Sequence, residues 1–436
     1  MLQTVTAANA VDKIYNTKSI TLPNAMQVVV VENHRTPAVT HMVWYKIGGA
    51  DEVMGHSGLA HYLEHLMFKG TGLVAAGDFS KKVKSWGGND NAFTSWDFTA
   101  YFQTVPKDKL ESVMIMESDR MKNLSFDDAE ALIERDVVIQ ERKQRTDSNP
   151  SAQLGEAMRA ALFVNHPYAR PIIGWDQELQ ELTPAAARDF YKTYYAPKNA
   201  ILLVSGDVDA KDVFELAART YGQINNDGAK TRPDWPEVPT IYGQTTLTHT
   251  HPSVKQAMWR KLYRVPGMAK DYKQALAFAL TDELIGGNTG RLYQALAVDD
   301  PIVSAASFSY GGIAVDDSTV SIGVTPLDGV TWEQVDKAVD AVLQDVADNG
   351  VTSEELAKAV ARIQDESVYE RDSLTGPAMM VGYQLVSGLS LEQVEGWARD
   401  IENVTPEDIQ ETVRTYLLPG AAGYHAVTAH LLPQAE

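Results

Sequence analysis

The chain has no cysteine among its 436 residues. This absence excludes disulfide bonds, thiolate nucleophiles and cysteine-ligated metal sites. Any bound metal ion must therefore be held by histidine nitrogens or by carboxylate or carbonyl oxygens. The cellular compartment stays open, because a protein without cysteine can work in reducing or oxidising surroundings.

Basic residues and long apolar runs are also scarce. The 38 Lys and Arg residues stand against 58 Asp and Glu residues, which gives a formal charge of -20. Such a chain repels polyanions and offers no basic stripe, so we predict no nucleic-acid partner. No apolar run approaches the roughly 18 residues of a membrane span, and the first residues lack the basic and apolar regions of a signal peptide. We therefore predict no membrane partner.

The composition is that of a soluble globular protein, with 44% hydrophobic and 22% charged residues. Residues 19–34 and 38–49 are rich in Val, Ile and Thr and are separated by turn-forming Pro and Asn, which predicts strand, turn, strand. Helical patterns then alternate with strands, for example over residues 126–145. Hairpins are frequent, so the pattern favours an α+β fold built on a long antiparallel sheet.

The predicted helix over residues 126–145 carries start and stop signals. Ser125 precedes it and Asp128 follows three residues later, as in a capping box. Pro150 is predicted to stop it.

Two parts of the chain resemble each other. Residues 182–208 and 404–430 share Thr-Pro, then Thr-Tyr, then Pro at one constant offset, and "MVWYKIGG" resembles "AMWRKLYR". Between them, residues 221–248 are rich in Gly, Pro, Asn and Asp. We predict an internal duplication with an N-terminal domain over 1–225, a linker over 226–247 and a homologous C-terminal domain over 248–436.

The stretch "HYLEHLMFKG" places two histidines four residues apart. On a helix that spacing puts His61 and His65 on one face, about one turn apart, where both imidazoles can reach one ion. Ser57 is predicted to cap the helix and Gly70 to end it. Two histidines that merely share this spacing are more often half-buried and hydrogen-bonded. Glu64, however, adds the carboxylate that a catalytic zinc site uses as a base.

A catalytic zinc site needs a third protein ligand and an open position. Glu134 and Glu141 lie seven residues apart and so share one helix face. Glu130 and Asp136 are close in sequence. Spacing does not choose among these four, and each could be an ordinary solvated helix charge.

"GLAHYLEHLMFKGT" resembles the inverted zinc-binding signature of the pitrilysin, insulin-degrading enzyme and mitochondrial processing peptidase family. Further matches stand in the family's order along nearly the whole chain: "GGNDNAFTSWDFTAYF", "ERDVVIQERKQ", "HPYARPIIGW" and "YYAPKNAILLVSGDV". The length best fits the processing-peptidase branch. A bacterial protein of the periplasm or cytoplasm is the expectation.

The resemblance implies one Zn²⁺ per chain, held by His61, His65 and Glu141. It implies that Glu64 is the general base of peptide hydrolysis and that Glu134 is a second carboxylate of the catalytic centre, supporting the ligands. The implied fold is two homologous halves, each a mainly antiparallel sheet packed with helices, which close over a chamber. The implied activity is that of an endopeptidase acting on unfolded peptides or small polypeptides.

A segment containing Asn91, Ala92 and Phe93 matches the family's edge strand beside the zinc. An extended peptide can add to such an edge through main-chain hydrogen bonds, which would tolerate many side chains. We therefore predict that these three residues bind substrate.

The family's C-terminal half usually carries an Arg and a Tyr that contact the substrate. Here the corresponding positions are Ala297 and Ser304. We favour a catalytic subunit completed by a related partner chain that lacks the zinc ligands but carries the Arg and Tyr, a heterodimer rather than a homodimer. The alternatives are a weak or altered peptidase, a rescue by Arg291 or Tyr293, and a non-catalytic structural or assembly subunit.

Overall fold

Two β-sheets, each flanked by helices, form the framework. A computed structural model describes residues 13–239, 241 and 243–434. The strands are β1 (Lys18–Thr21), β2 (Gln27–Glu32), β3 (Ala38–Tyr45), β4 (Asn89–Thr94), β5 (Thr99–Pro106), β6 (Ala200–Gly206), β7 (Thr245–His251), β8 (Met258–Pro266), β9 (Val303–Tyr310), β10 (Asp317–Pro326) and β11 (Ala426–Pro433). The predicted α+β class is confirmed.

The helices fall into α-helices and short 3₁₀ or π segments. The α-helices are α1 (Leu59–Leu66), α2 (Asp78–Ser85), α3 (Leu110–Asn123), α4 (Asp128–Arg142), α5 (Pro150–Leu162), α6 (Asp176–Glu181), α7 (Pro184–Tyr194), α8 (Ala210–Arg219), α9 (Tyr272–Ile285), α10 (Arg291–Tyr293), α11 (Trp332–Asn349), α12 (Ser353–Asp372), α13 (Gly376–Val386), α14 (Leu391–Asp400) and α15 (Pro406–Tyr416). The 3₁₀ turns are Gly49–Asp51, Lys107–Lys109, Pro167–Ala169, Pro197–Asn199, Tyr221–Gln223 and Ile401–Asn403, and the π-helical segments are Lys143–Asp147 and Gln294–Asp299.

The second sheet repeats the strand order of the first. The orders are β1-β2-β6-β3-β5-β4 and β7-β11-β8-β10-β9. Once β1 is set aside, β7 takes the place of β2, β11 of β6, β8 of β3, β10 of β5 and β9 of β4. The β2/β6 and β7/β11 pairs are parallel, and the remaining pairs are antiparallel. The predicted duplication into two similar halves is confirmed.

The repeated Thr-Pro pair starts the same helix in each half. The side chain of Thr183 accepts a hydrogen bond from the backbone N–H of Ala186, and that of Thr405 accepts one from Asp408. Proline follows at the first helical position, where its missing N–H costs nothing. The two helices, α7 and α15, then lead to the equivalent strands β6 and β11.

One helix from each half packs against the sheet of the other half. Helix α5 of the first half packs on β7, β8 and β11, and α13 of the second half packs on β3 and β6. The buried residues at the first contact are Leu154, Met158, Leu162, Val427, Ala429 and Leu431, and those at the second are Trp44, Ile201, Leu203, Ala378, Val381 and Leu385. Burial of each large apolar side chain contributes about 1.5–3 kcal/mol, so this exchange holds the halves together.

The predicted capping box of α4 is wrong. Asp127, rather than Ser125, accepts a hydrogen bond from Glu130 N–H at 2.7 Å and so starts the helix. The backbone N–H of Ser125 is bonded instead to Gly70 O, which keeps the chain extended up to the buried Phe126. Pro150 begins α5 instead of stopping α4, which passes at Arg142 into the π-helical segment.

The segment between the halves contacts the first half through Arg232. Its guanidinium group bonds both carboxylate oxygens of buried Asp51, at 2.9 and 3.1 Å, and the carbonyl oxygens of Lys46 and Asp97. Strand β7 begins at Thr245, inside the predicted linker; the domain boundaries themselves stay predictions. Over the described ranges, no helix is both long and apolar enough to cross a bilayer, and the predicted location stays a prediction.

Candidate metal centre and peptide cleft

Helix α1 is started by a carboxylate that precedes the predicted cap by five residues. The side chain of Glu52 accepts hydrogen bonds from Gly58 N–H at 3.1 Å and Ala60 N–H at 2.8 Å. The prediction that Ser57 caps α1 is therefore wrong, and its hydroxyl accepts from Trp175 N–H instead. Gly58 has φ +86°, and a Cβ there would lie 2.6 Å from a carbonyl oxygen, so only glycine fits this turn.

Three predicted ligand side chains converge beside α1. Nε2 of His61 lies 3.7 Å and Nε2 of His65 lies 3.4 Å from Oε2 of Glu141. One donor atom from each residue falls within 4.8 Å of the others, and no other such group of three occurs among residues 13–239, 241 and 243–434. A tetrahedral site with ligand bonds of about 2.1 Å has ligands about 3.4 Å apart, so this set of two nitrogens and one oxygen fits zinc.

His65 lies between the two carboxylates of α4. Its Nδ1 is 2.9 Å from Oε1 of Glu134, and Lys69 pairs with the second oxygen of Glu134. The hydrogen bonds from His65 and Lys69 lower the pKa of Glu134. A carboxylate can only accept, so Nδ1 carries the proton and Nε2 presents its lone pair toward Glu141.

The electrostatics of the two histidines differ. Burial lowers the pKa of His61 to about 3, and the neighbouring His65 and Arg145 act in the same direction. The ring of His61 is therefore neutral at pH 7 and has a lone pair for a metal ion. For His65, burial is outweighed by the hydrogen bond to Glu134 and by the nearby carboxylates, which together raise its pKa.

Glu64 is buried at the wall of the same site. Its Oε2 accepts a hydrogen bond from Thr94 Oγ1 at 2.5 Å. Burial raises the pKa of Glu64, although the Thr94 hydrogen bond opposes that shift. The sequence reasoning missed Thr94; strand alternation, which puts Thr94 on the same face as Ala92, could have indicated it.

The four acidic residues shortlisted on α4 differ in position. Glu134 and Glu141 lie two turns apart and meet opposite nitrogens of one imidazole. Glu130 and Asp136 are outside the cluster, and Asp136 is 71% exposed.

A cleft of about 710 Å³ opens onto this cluster. It is lined by His61, Glu64, His65, Asn91, Ala92, Phe93, Thr94, Trp96, Glu141, Arg145, Thr146, Ala152, Gly155, Glu156, Arg159, Ala169, Pro171, Ile172 and Ile173. Strand β4 is an edge of the first sheet, so none of the described strands pairs with one side of its backbone. The ring of Phe93 packs on the other face of the sheet, 5.3 Å from Trp44 and 5.7 Å from Tyr383.

The two positions where the family resemblance expects an Arg and a Tyr lie in the second half. Ala297 lies in the π-helical segment Gln294–Asp299 and Ser304 on β9, and neither lines the cleft. Arg291 is held by Asp345 at 3.1 Å and Glu355 at 3.0 Å. Arg291 is thus engaged within the second half, and like Tyr293 it does not line the cleft.

Comparisons with known proteins agree with this architecture. The profile described as insulinase (peptidase family M16) matches residues 27–176, and that described as peptidase M16 inactive domain matches residues 181–363. The zinc protease PqqE of Helicobacter pylori is 31% identical over 92% of this chain and 90% of its own length. A crystal structure of a protease from Helicobacter pylori superposes with a TM-score of 0.88 at 30% identity, covering 96% of this chain and 99% of that one.

A more distant relative is a probable mitochondrial-processing peptidase subunit beta of Arabidopsis thaliana. It is 26% identical over 49% of this chain and 40% of its own length. With both profiles matched in order and similarity along nearly the full length, the chain belongs to the insulinase family of peptidases, peptidase family M16.

Proposed function

We propose that this chain is a zinc-dependent endopeptidase that cleaves unfolded peptides or small polypeptides. The observation that carries the proposal is the convergence of His61, His65 and Glu141 beside the buried carboxylate of Glu64, at the wall of one cleft. The similarity to a protein named zinc protease supports the same metal and reaction class.

In this proposal Nε2 of His61, Nε2 of His65 and a carboxylate oxygen of Glu141 hold the zinc ion. The ion would supply Lewis-acid chemistry, polarising a peptide carbonyl and making water more acidic. Glu134 and Lys69 fix the tautomer and orientation of His65, which keeps the ligand set preorganised.

Glu64 is the general base. Its carboxylate takes a proton from water as the water oxygen attacks the carbonyl carbon, and it then gives that proton to the nitrogen of the departing amine. Burial raises the pKa of Glu64 and so strengthens it as a base. The hydroxyl of Thr94 holds one carboxylate oxygen, which leaves the other free for the proton.

The substrate backbone would lie along β4. The N–H of Ala92 is bonded to the side-chain oxygen of exposed Asn91 at 2.9 Å, so it faces the free edge and is available once that side chain moves. An extended peptide that pairs with this edge passes directly beside Glu64, since Thr94 of the same strand contacts it. Phe93 would act here through its main chain, because its ring is packed elsewhere.

We also propose that the active form is a heterodimer. Ala297 and Ser304 leave the family's two substrate contacts unfilled in this chain, and a second copy of the same chain would bring the same two residues. A related chain that lacks zinc ligands but carries the Arg and Tyr would complete the site. The similarity to a protein named as a peptidase subunit supports this arrangement.

The same two substitutions favour a second candidate, a non-catalytic structural or assembly subunit. The test is cleavage of a quenched fluorescent peptide by the zinc-loaded chain alone and with a related subunit, with Glu64→Gln as the control in each. Cleavage only in the mixture, lost in the variant, supports the proposal in full. Equal cleavage by the chain alone overturns the heterodimer, and no cleavage in either favours the structural subunit.

A further inference from the structure

One positively charged side chain in the cleft has no role in the chemistry above. Along α5, Ala152, Gly155, Glu156 and Arg159 recur at helical spacing and line the cleft. The guanidinium carbon of Arg159 lies 4.0 Å from the centroid of the Trp96 ring and 5.3 Å from that of Phe163. Stacking on an aromatic face leaves the N–H edges of a guanidinium group free for a ligand.

The Trp96 ring is itself fixed in place. Its Nε1–H donates a hydrogen bond to Arg170 O at 2.8 Å. Arg159 therefore rests on a rigid support at the cleft wall. The geometry is that of a preorganised cation, since little side-chain freedom is left to lose on binding.

Arg159 has no ion-pair partner among the described residues. The charge of buried Asp97 acts on it from a distance, but that carboxylate accepts a hydrogen bond from the Tyr168 hydroxyl at 2.6 Å instead. In the described parts of the chain, no carboxylate lies within ion-pair distance of its guanidinium group, and that group donates no hydrogen bond to another residue. Neighbouring cations differ in this respect: Arg142 forms a two-pronged pair with Glu156 at 2.9 and 3.0 Å, and Arg145 pairs with Glu141 at 2.9 Å.

The carboxylates that line the cleft interact with groups other than Arg159. Glu156 is neutralised by Arg142, while Glu64 and Glu141 belong to the metal centre. Burial lowers the pKa of Arg159 to about 10, so the group stays charged at pH 7. A partly desolvated cation without a partner is costly, and a carboxylate from outside would relieve that cost through charge-assisted hydrogen bonds.

We propose that Arg159 is a specificity-determining residue that binds a carboxylate of the peptide substrate, from an Asp or Glu side chain or from the peptide's C-terminus. The inference deepens the proposed function and rests on it. An enzyme whose overall charge is -20 would thus hold one local site for an acidic group inside its cleft. The planar guanidinium matches a carboxylate in two-pronged geometry, which favours Asp and Glu over Asn and Gln.

Binding is measured first, since it does not depend on turnover. The Glu64→Gln chain, loaded with zinc and with the partner subunit where needed, is titrated with labelled peptides that differ only in Glu against Gln at each position. We expect the Glu peptide to bind about tenfold or more tightly at one position. Equal affinity at every position overturns the inference, whether or not the wild-type protein cleaves.

Amidated and free C-termini then separate the two sources of the carboxylate. A preference for Glu retained in amidated peptides identifies a side chain, and a preference that follows the free terminus identifies the terminal carboxylate. Either supports the inference.

Variants show that the preference belongs to Arg159. Arg159→Gln is expected to remove the Glu-over-Gln preference, and Arg159→Lys to keep part of it, because charge is retained without the planar fork. Arg219→Gln, at a 68% exposed side chain on α8, makes the same charge change outside the cleft and should leave the preference intact. A preference that survives in Arg159→Gln contradicts the inference, and kcat/KM ratios for paired substrates give the same comparison in the active protein.

Discussion

Nδ1 of His65 lies 2.9 Å from a carboxylate oxygen of Glu134, while the other nitrogen of the same ring faces Glu141. Glu134 thus accepts the Nδ1–H hydrogen bond of this imidazole, and the lone pair of Nε2 points toward Glu141. In the proposed site Glu134 would therefore orient the ligand His65, although it is not one of the three converging donors.

Glu134→Gln should therefore weaken zinc binding without abolishing it. The amide is a poorer acceptor and can no longer pair with Lys69, and loss of such a supporting group typically costs roughly 10- to 100-fold in metal affinity. The measurement is zinc competition against a chromogenic chelator. Asp136→Asn, on the exposed face of the same helix, is the control; an unchanged affinity in Glu134→Gln would show that His65 is oriented by other groups.

Thr94→Val should move the acidic limb of the pH profile. The Thr94 hydrogen bond lowers the pKa of Glu64 against the effect of burial, so its removal raises that pKa further. A base works only when deprotonated, and the rising limb of kcat/KM must then shift to higher pH. Thr94→Ser keeps the hydroxyl and should restore the wild-type limb. A limb that is the same in Thr94→Val and wild type would exclude Glu64 as the titrating base.

Much of the candidate site could be read from sequence because its spacing is local. The positions of His61, Glu64 and His65 within one turn of helix need no knowledge of the rest of the chain. Glu141 could only be placed on a shortlist, because it shares a helix face with Glu134 and because spacing along α4 says nothing about which carboxylate meets which nitrogen of His65.

What could not be read depends on how the chain turns back on itself. The start of α1 is held by Glu52 across a glycine turn, so the nearer Ser57 was a misleading choice. Helix α4 starts later than predicted, because the backbone N–H of Ser125 is bonded to Gly70 O. The duplication was readable from repeated Thr-Pro pairs, but the exchange of α5 and α13 between halves was not, since no local pattern records which sheet a helix covers.

That exchange predicts opposite effects of two alanine substitutions. In Gly382→Ala on α13, the new Cβ would lie 2.1 Å from the ring of fully buried Trp44, so we expect about 1–3 kcal/mol of destabilisation. In Gly155→Ala on α5, the new Cβ would meet no described atom within 4 Å apart from its chain neighbours and the backbone of its own helix, and the better helix former should add up to about 1 kcal/mol. Denaturant unfolding measures both. Equal stabilities would contradict the packing of α13 on the first sheet.

We predict that a contact between the halves at Asp316 is sensitive to acid. Its carboxylate accepts hydrogen bonds from His166 of the first half at 3.3 Å and from Lys270 at 2.7 Å. These bonds, that from His166 foremost, hold the pKa of Asp316 below its ordinary 3.8. A carboxylate whose pKa is lowered by folding stabilises the folded state fully at pH values above its ordinary pKa. That stabilisation is lost as the pH falls through the lower pKa of the folded state.

Asp316→Asn should therefore be less stable than wild type at neutral pH. The difference in stability between the two proteins, here called the gap, should close as the pH drops below about 4. Thermal unfolding across pH 2–7 measures the gap. Asp108→Asn, whose carboxylate is 66% exposed and pairs with the adjacent Lys109, is the control for charge removal. A gap that is constant over the whole range would contradict the ion-pair interpretation.

The most direct test of the metal centre does not need a partner subunit or a substrate. Anomalous diffraction across the zinc absorption edge, from crystals of the zinc-loaded chain, locates the ion without reference to activity. We expect one peak per chain, about 2.0–2.2 Å from Nε2 of His61, Nε2 of His65 and a carboxylate oxygen of Glu141, and its loss in Glu141→Ala. A peak at other residues, or the same peak in Glu141→Ala, would contradict the assignment of this centre.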